Sequence, residues 1–299
     1  MKLGLLFPRN FAGIPEPYCL LEKARIVVLP VPYDSTVDWH SGQREGPRAI
    51  IDASRNLEFY DQELGRETFR AGIHTLPELL PVLDSPARMV RRVEQAAGWI
   101  LKIGKFPVVL GGEHSITVGV VRALVRRFKG LSVIQLDAHA DLRQSYLGSR
   151  YSYACAMRRV GELCPVVGVG IRSFSYEEHL HIEEQGLRCF PPGGIRIEEV
   201  LASLSERVYI TIDLDVLNPA IMAAVGNPEP GGLGWEETLA LLKAVAGAKE
   251  VVGFDLVELC PGQGPAACAF TAAKLAYKLM GYVTTPEKQS FSRGSVGGA

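Results

Sequence analysis

Short runs rich in Val and Ile, each about the length of one strand and separated by longer helical patterns, constrain this chain more than any other feature. They fall at 26–31 (IVVLPV), 107–110 (PVVL), 131–136 (LSVIQL), 166–171 (VVGVGI), 208–212 (VYITI) and 250–254 (EVVGF). None alternates apolar with polar residues, so they read as parallel strands covered on both faces. Helical patterns lie at 47–58, 86–103, 116–128, 175–186, 195–205, 235–247 and 265–282, with Pro86 and Pro265 suited to a first turn. This alternation predicts an α/β sheet with right-handed crossovers. A chain of 299 residues has room for two domains, but no repeat or linker breaks the rhythm, and 1–283 reads as one domain. Residues 8–19 (PRNFAGIPEPYC) read as a turn-rich surface segment, and 284–299 as a loose tail.

The chemistry gathers where these runs end. PVVL runs into GGEHS, which carries His114, and LSVIQL runs into DAHAD, with Asp137, His139 and Asp141. VYITI ends in DLD, with Asp213 and Asp215, and EVVGF ends in DLVE, with Asp255 and Glu258. In an open α/β sheet the ligand crevice lies beyond the carboxyl ends of the strands, so four strands deliver acids and imidazoles to one edge. Taken singly, His114 also fits a turn and Asp213 or Asp215 a cap. DAHAD is harder to explain that way. If the extension continues, its three polar side chains share one side, and a metal cation cancels their charge at least cost.

Four carboxylates and two imidazoles without a thiolate argue against structural zinc and favour Mn(II). Six ligands are too many for one catalytic ion that keeps a water; two ions sharing carboxylates use them all and hold a bridging hydroxide. The rest of the composition is bland. A net charge of -1 argues against a broad nucleic-acid surface. The opening MKLGLLFPRN lacks the long apolar stretch of an export signal, and Lys274 and Lys278 interrupt the apolar stretch 266–283, which reads as an amphipathic core helix and not a membrane span. Six cysteines without a C-x-x-C pair read as reduced thiols in a cytoplasmic protein.

GGEHS, DAHAD, DLD and DLVE, with PYDST at 32–36 and GPRAI at 46–50, together resemble the ureohydrolase family of arginases and agmatinases over nearly the whole chain. The resemblance implies a three-layer αβα sandwich around a mostly parallel sheet, two Mn(II) ions and hydrolysis of a small guanidino substrate to an amine and urea. It implies His114, Asp137, Asp141 and Asp213 on one ion and His139, Asp137, Asp213 and Asp215 on the other. Glu258 matches the family's guanidinium-binding acid, whose paired oxygens suit a planar fork. Asp141 is a plausible proton carrier for the leaving amine. A homo-oligomer, trimer or hexamer, is implied as well.

The segment 142–159 resembles the agmatinase branch and lacks the arginase loop for the substrate's α-amino and carboxyl groups. Agmatine, yielding putrescine, is therefore the first expectation, with guanidinobutyrate, aminopropylagmatine, arginine and formiminoglutamate as alternatives. Arg143, Arg150, Arg158 and Arg159 read as solvated surface. Tyr153 stands where the family usually has a His that relays protons. With an unperturbed pKa of about 10 it keeps a hydrogen bond but is no neutral-pH shuttle. Asn218 replaces a usual Asp, and Ala223 and Ala224 a Pro-Gly pair. These departures support a second expectation, a metal-binding member with weak or lost activity serving as an assembly or regulatory subunit. His40 is the imidazole to inspect as a substitute relay, His74 reads as a loop residue, and His179 and His181 as a solvated helix face.

Overall fold

All six Val- and Ile-rich runs pair as parallel strands in the computed structural model, which describes residues 7–284. In chain order the strands are β1 (Ile26–Val31), β2 (Tyr60–Asp61), β3 (Arg66–Glu67), β4 (Ile73–Thr75), β5 (Phe106–Gly111), β6 (Leu131–Leu136), β7 (Val166–Val169), β8 (Arg188–Phe190), β9 (Arg207–Asp213) and β10 (Glu250–Val257). Eight of them form one parallel sheet in the order β4-β1-β5-β10-β9-β6-β7-β8, and β2 and β3 make a small antiparallel ribbon. The edge strands β4 and β8 have three residues each, too few to show a period in the sequence. His74 is accordingly in a strand and not a loop, with Nδ1 2.8 Å from the Cys19 carbonyl.

The helices are α1 (Gly46–Ser54), α2 (Pro86–Lys102), α3 (Thr117–Arg127), α4 (Ala156–Gly161), α5 (Tyr176–Gln185), α6 (Ile197–Ser203), α7 (Trp235–Ala248) and α8 (Ala267–Val283). Ser85 caps α2 by accepting the Arg88 N–H, with Pro86 in the first turn. Successive strand residues point to opposite faces, and both faces are dry. Ile26, Val28, Val108, Leu110, Val208, Ile210 and Ile212 pack with Ile50 of α1, Leu242 of α7 and Leu275 of α8. Val27, Leu29, Val31, Val109 and Tyr209 pack on the other side with Met89 and Val93 of α2 and Val121 and Leu124 of α3. Three layers follow, as expected. Each buried Val, Leu or Ile contributes about 1.5–3 kcal/mol, so the absence of alternation is itself a large stabilising term.

Two expectations need correction. Segment 8–19 does not simply cross the surface. Phe11 and Ile14 are buried, Asn10 Oδ1 accepts the Ile14 N–H at 2.7 Å, and the Ala12 N–H donates to Ser54 Oγ at 2.7 Å. Arg159 is not solvated; it is buried and donates to Gln144 Oε1 at 2.8 Å. Lys278 on α8 is buried too, its ammonium 3.0 Å from Asp61 Oδ1 and paired also with Glu63. The tail expected at 284–299 lies outside the described residues apart from Thr284.

The four strands that end in polar residues are consecutive in the sheet: β5, β10, β9, β6. Their register aligns Leu110, Leu256, Ile212 and Leu136 in one row across the sheet. Asp213 and Val257 form the next row, so Asp137, Asp213 and Glu258 emerge at one level of the same edge. Gly112 lets the chain turn there, because a Cβ at that position would sit 2.1 Å from the Tyr33 carbonyl oxygen.

Candidate metal centre

The edge brings together two groups of ligand-type side chains: His114, Asp137 and Asp213, and Asp137, His139 and Asp215. His114 Nδ1 lies 3.1 Å from Asp137 Oδ2, 3.1 Å from Asp141 Oδ2 and 3.5 Å from Asp213 Oδ2. His139 Nδ1 lies 2.8 Å from Asp215 Oδ2 and 3.7 Å from Asp137 Oδ1. Asp137 thus presents one oxygen to each imidazole, the geometry of a bridging carboxylate. Asp213 joins the His114 group only, and its Oδ1 accepts the Asp215 N–H at 3.0 Å.

DAHAD reaches this arrangement differently from a continued strand. β6 ends at Leu136, the Asp137 Oδ1 accepts the His139 N–H at 2.6 Å, and Asp141 turns inward through a left-handed backbone with φ 53°. Glu258 also has a left-handed backbone, φ 67°. For residues other than glycine such conformations cost of order 1–3 kcal/mol. Both are held in place: Asp141 O accepts from Arg158 N at 3.0 Å, and Glu258 N donates to Gly112 O at 2.7 Å.

Behind His114 lies a buried relay that the strand ends alone did not disclose. Its Nε2 is 2.9 Å from Thr211 Oγ1, and Thr211 in turn donates to Asp255 Oδ1 at 2.5 Å. Asp255 Oδ2 also accepts from Tyr209 at 2.7 Å and Thr117 at 2.8 Å. Asp255 therefore points into the sheet and not into the crevice. This network keeps a proton on Nε2, so Nδ1, which faces three carboxylate oxygens, is the nitrogen that exchanges its proton for a cation. Gln135, buried beneath the site, donates to Asp137 Oδ2 at 2.8 Å. Glu229 borders the other half, with Oε1 3.7 Å from His139 Nε2 and 2.7 Å from Ser173 Oγ.

The charges explain what such a cluster needs. Burial raises Asp141 to about 7, with the neighbouring Asp137 charge adding to it. Burial and the Asp215 and Asp137 charges push Asp213 up as well, while two imidazoles hold Asp137 below the carboxylate range despite its burial. Burial disfavours charge on His114, yet Asp137, Asp141 and Asp213 hold its pKa well above the ordinary value. Four acids crowded this way call for cations. His114 Nδ1 makes no hydrogen bond although fully buried, and it is the ligand atom a divalent ion would take. The residues fit a pair of divalent ions.

At the mouth, Glu258 Oε1 accepts the His114 N–H at 2.7 Å. Burial and the nearby Glu113 charge raise its pKa well above the carboxylate range, so a bound cation would draw it into its ionised form. Glu113, itself raised by burial to about 7, accepts from the Thr36 N–H and the Thr36 hydroxyl at 2.7 Å each. Tyr153 donates its hydroxyl to Asp38 Oδ1 at 2.7 Å. Burial and Asp38 raise its pKa further, which fits a fixed donor and not a shuttle. The His40 ring lies tilted against Trp39 with centroids 4.0 Å apart, and its carbonyl accepts from Gln43. His179 is exposed on α5 beside Tyr176 and His181 is half-buried, neither in the groups above. Asn218 accepts the Ala220 N–H at 2.9 Å and so keeps a turn-forming contact, while Ala224 is pinned to the end of β10 through Cys260 N–H at 2.8 Å.

A parallel three-layer sheet that gathers paired His–Asp groups at the carboxyl ends of its central strands defines a binuclear metal-dependent hydrolase. The chain belongs to the arginase family, whose model matches residues 24–281. It is 42% identical over 294 residues to the N(1)-aminopropylagmatine ureohydrolase of Synechocystis sp., covering 92% of this chain and 96% of that one. The N(1)-aminopropylagmatine ureohydrolase of Thermus thermophilus is 40% identical over 277 residues, 91% of this chain and 93% of its own. Among solved structures, the agmatine ureohydrolase of Thermoplasma volcanium superposes with a TM-score of 0.85 at 31% identity, covering 95% and 97% of the two chains. The ureohydrolase resemblance and the αβα architecture are borne out. No helix of the described residues is long and apolar enough to cross a membrane.

Proposed function

We propose that residues 1–283 form one catalytic unit that hydrolyses a guanidino amine to urea and the corresponding polyamine, with N(1)-aminopropylagmatine and agmatine as the substrates to try first. The observation that carries this reading is the doubly facing Asp137 between His114 and His139, with Glu258 beside it. The names of the relatives favour the aminopropylated substrate, and the missing arginase loop argues against arginine. Mn(II) suits the oxygen-rich donor set with two imidazoles. A homo-oligomer in the cytoplasm, working in polyamine synthesis, is the setting we infer; six unpaired thiols agree with a reducing compartment.

His114, Asp137, Asp141 and Asp213 would hold one ion, and His139, Asp137 and Asp215 the other. Two such ions supply a water activated at neutral pH. The chain's own residues do the rest. Glu258 would bind the guanidinium through its carboxylate and so orient the planar group at this edge of the sheet. Asp141, beside His114, is placed to carry a proton to the departing amine. The left-handed backbones at Asp141 and Glu258 aim both carboxylates inward. Urea release by Mn(II)-loaded protein with aminopropylagmatine, agmatine, arginine and guanidinobutyrate tests the reading. Turnover of the first two is expected; no urea from any of the four, with two ions bound, overturns it in favour of a metal-binding subunit.

A further inference from the structure

We propose that Asp38, clamped by Tyr146 and Tyr153 at the rim of the metal centre, is the anionic anchor for the ammonium tail of the guanidino substrate. The proposal rests on the guanidino-amine reading above and names a residue that recognises the far end of that substrate. Both phenols commit their hydroxyls to it: Tyr153 donates to Oδ1 at 2.7 Å and Tyr146 to Oδ2 at 2.7 Å. Their rings meet edge to face, centroids 6.0 Å apart.

The clamp is tied to the reacting edge from two sides. The Tyr153 N–H donates to Thr36 Oγ1 at 3.1 Å, and that hydroxyl donates to Glu113, the neighbour of His114. Asn227 hydrogen-bonds the Tyr153 side chain, and two residues further on Glu229 stands beside His139. Asp38 therefore belongs to the same hydrogen-bonded rim as Glu113 and opens to solvent.

Two donors do not exhaust a carboxylate, which has about four acceptor sites. Burial pushes the Asp38 carboxyl up, but the hydrogen bonds from Tyr153 and Tyr146, a backbone hydrogen bond and the Arg143 charge together leave it below its ordinary range. Arg143, whose charge also acts on Asp38, lies over the Tyr146 ring at 5.1 Å and 3.9 Å from Glu178 without forming an ion pair with Asp38. Among the described residues no Lys or Arg is ion-paired with Asp38. Tyr146 and Tyr153 set two aromatic rings at the carboxylate, and carboxylate plus aromatic rings is the chemistry that recognises an alkylammonium. A tail carboxylate would be repelled there. The rim thus selects guanidino amines over guanidino acids.

Asp38→Asn keeps the shape and a hydrogen bond to the phenols while removing the charge. With Mn(II)-loaded protein, the ratio of kcat/KM for agmatine to that for n-butylguanidine, which lacks the tail amine, should fall roughly five- to tenfold, mostly through KM. Calorimetric titration of the same loaded protein with spermidine, which has no guanidinium, should show a similar weakening. Tyr146→Phe should move both readouts the same way by less. Equal losses on the two guanidines, or unchanged spermidine affinity, would mean that Asp38 only pins its loop, and the proposal is wrong. If the wild-type protein hydrolyses neither guanidine, the functional reading fails while the spermidine titration still decides the role of Asp38.

Discussion

The two imidazoles of the centre are built to different standards. His114 is fully buried, backed through Thr211 by an Asp255 carboxylate that collects three hydroxyl donors, and flanked by three carboxylates. The His139 side chain is 25% exposed, faces two carboxylates, and has only Glu229 behind it at 3.7 Å, beyond hydrogen-bond range. One half is a rigid socket and the other an accessible one. A hydrolytic site needs both, since an ion must be retained while its neighbour stays reachable by water and substrate.

Asp137 is the residue on which the comparison turns, because it serves both halves. Asp137→Ala should release both ions and reduce activity well beyond the about 100-fold typical of losing an outer partner. Metal content by mass spectrometry checks it; a variant that keeps two ions would show that Asp137 does not bridge. Exchanging single imidazoles separates the halves. His139→Asn should leave one ion per chain and His114→Asn a less regular loss, and a chelator should strip the wild type in two steps, the His139-side ion first. Simultaneous loss would mean that the halves do not differ in affinity.

The backing network offers a subtler break. Asp255→Asn leaves the ligand side chains in place but removes the charge, and one of the two accepting oxygens, that fix the Thr211 hydroxyl and hence the His114 proton. A loss of about 10- to 100-fold in affinity for the more tightly held ion is expected, with the other ion nearly unaffected. Two-site binding isotherms report this without reference to turnover. Equal weakening of both sites would point to a general loosening of the sheet.

How much of this was readable beforehand follows the same division. The strands were legible because a parallel sheet with both faces dry writes unbroken Val and Ile runs, and their polar ends marked His114, Asp137, His139, Asp141, Asp213, Asp215 and Glu258 directly. The three-residue edges β4 and β8 carry no period and were missed. Thr117, Tyr209 and Thr211 look like ordinary strand and helix residues in sequence; the register of β9 against β10 sets the last two, and the packing of α3 the first, around Asp255. Asp38 and Tyr146 lie in loops more than a hundred positions apart in effect, joined solely by tertiary contact. The inward turn at Asp141 was likewise invisible, because extrapolating a strand assumes the backbone angle that DAHAD abandons.

The smallest expected effect concerns how the ions change stability with pH. Without cations, burial and like charge raise Asp141 to about 7 and Asp213 also upward, so the folded chain keeps protons that the unfolded chain sheds near the ordinary carboxylate range. Their contribution to stability is present at acid pH and is lost as pH rises through the folded values. The raised His114 and His139 act in the same direction, stabilising below their unfolded pKa and losing that stabilisation as pH rises through the folded one. Asp137, held low, opposes them only at strongly acid pH. Divalent ions take over the charge balance that protons maintain, so the rise in Tm on adding Mn(II) should grow by a few degrees between about pH 5.5 and about pH 8. Differential scanning calorimetry of stripped and loaded protein measures it directly. A gain that stays constant or shrinks across that range would show that the carboxylates are already ionised in the empty centre, and that the contrast between its halves lies in access alone.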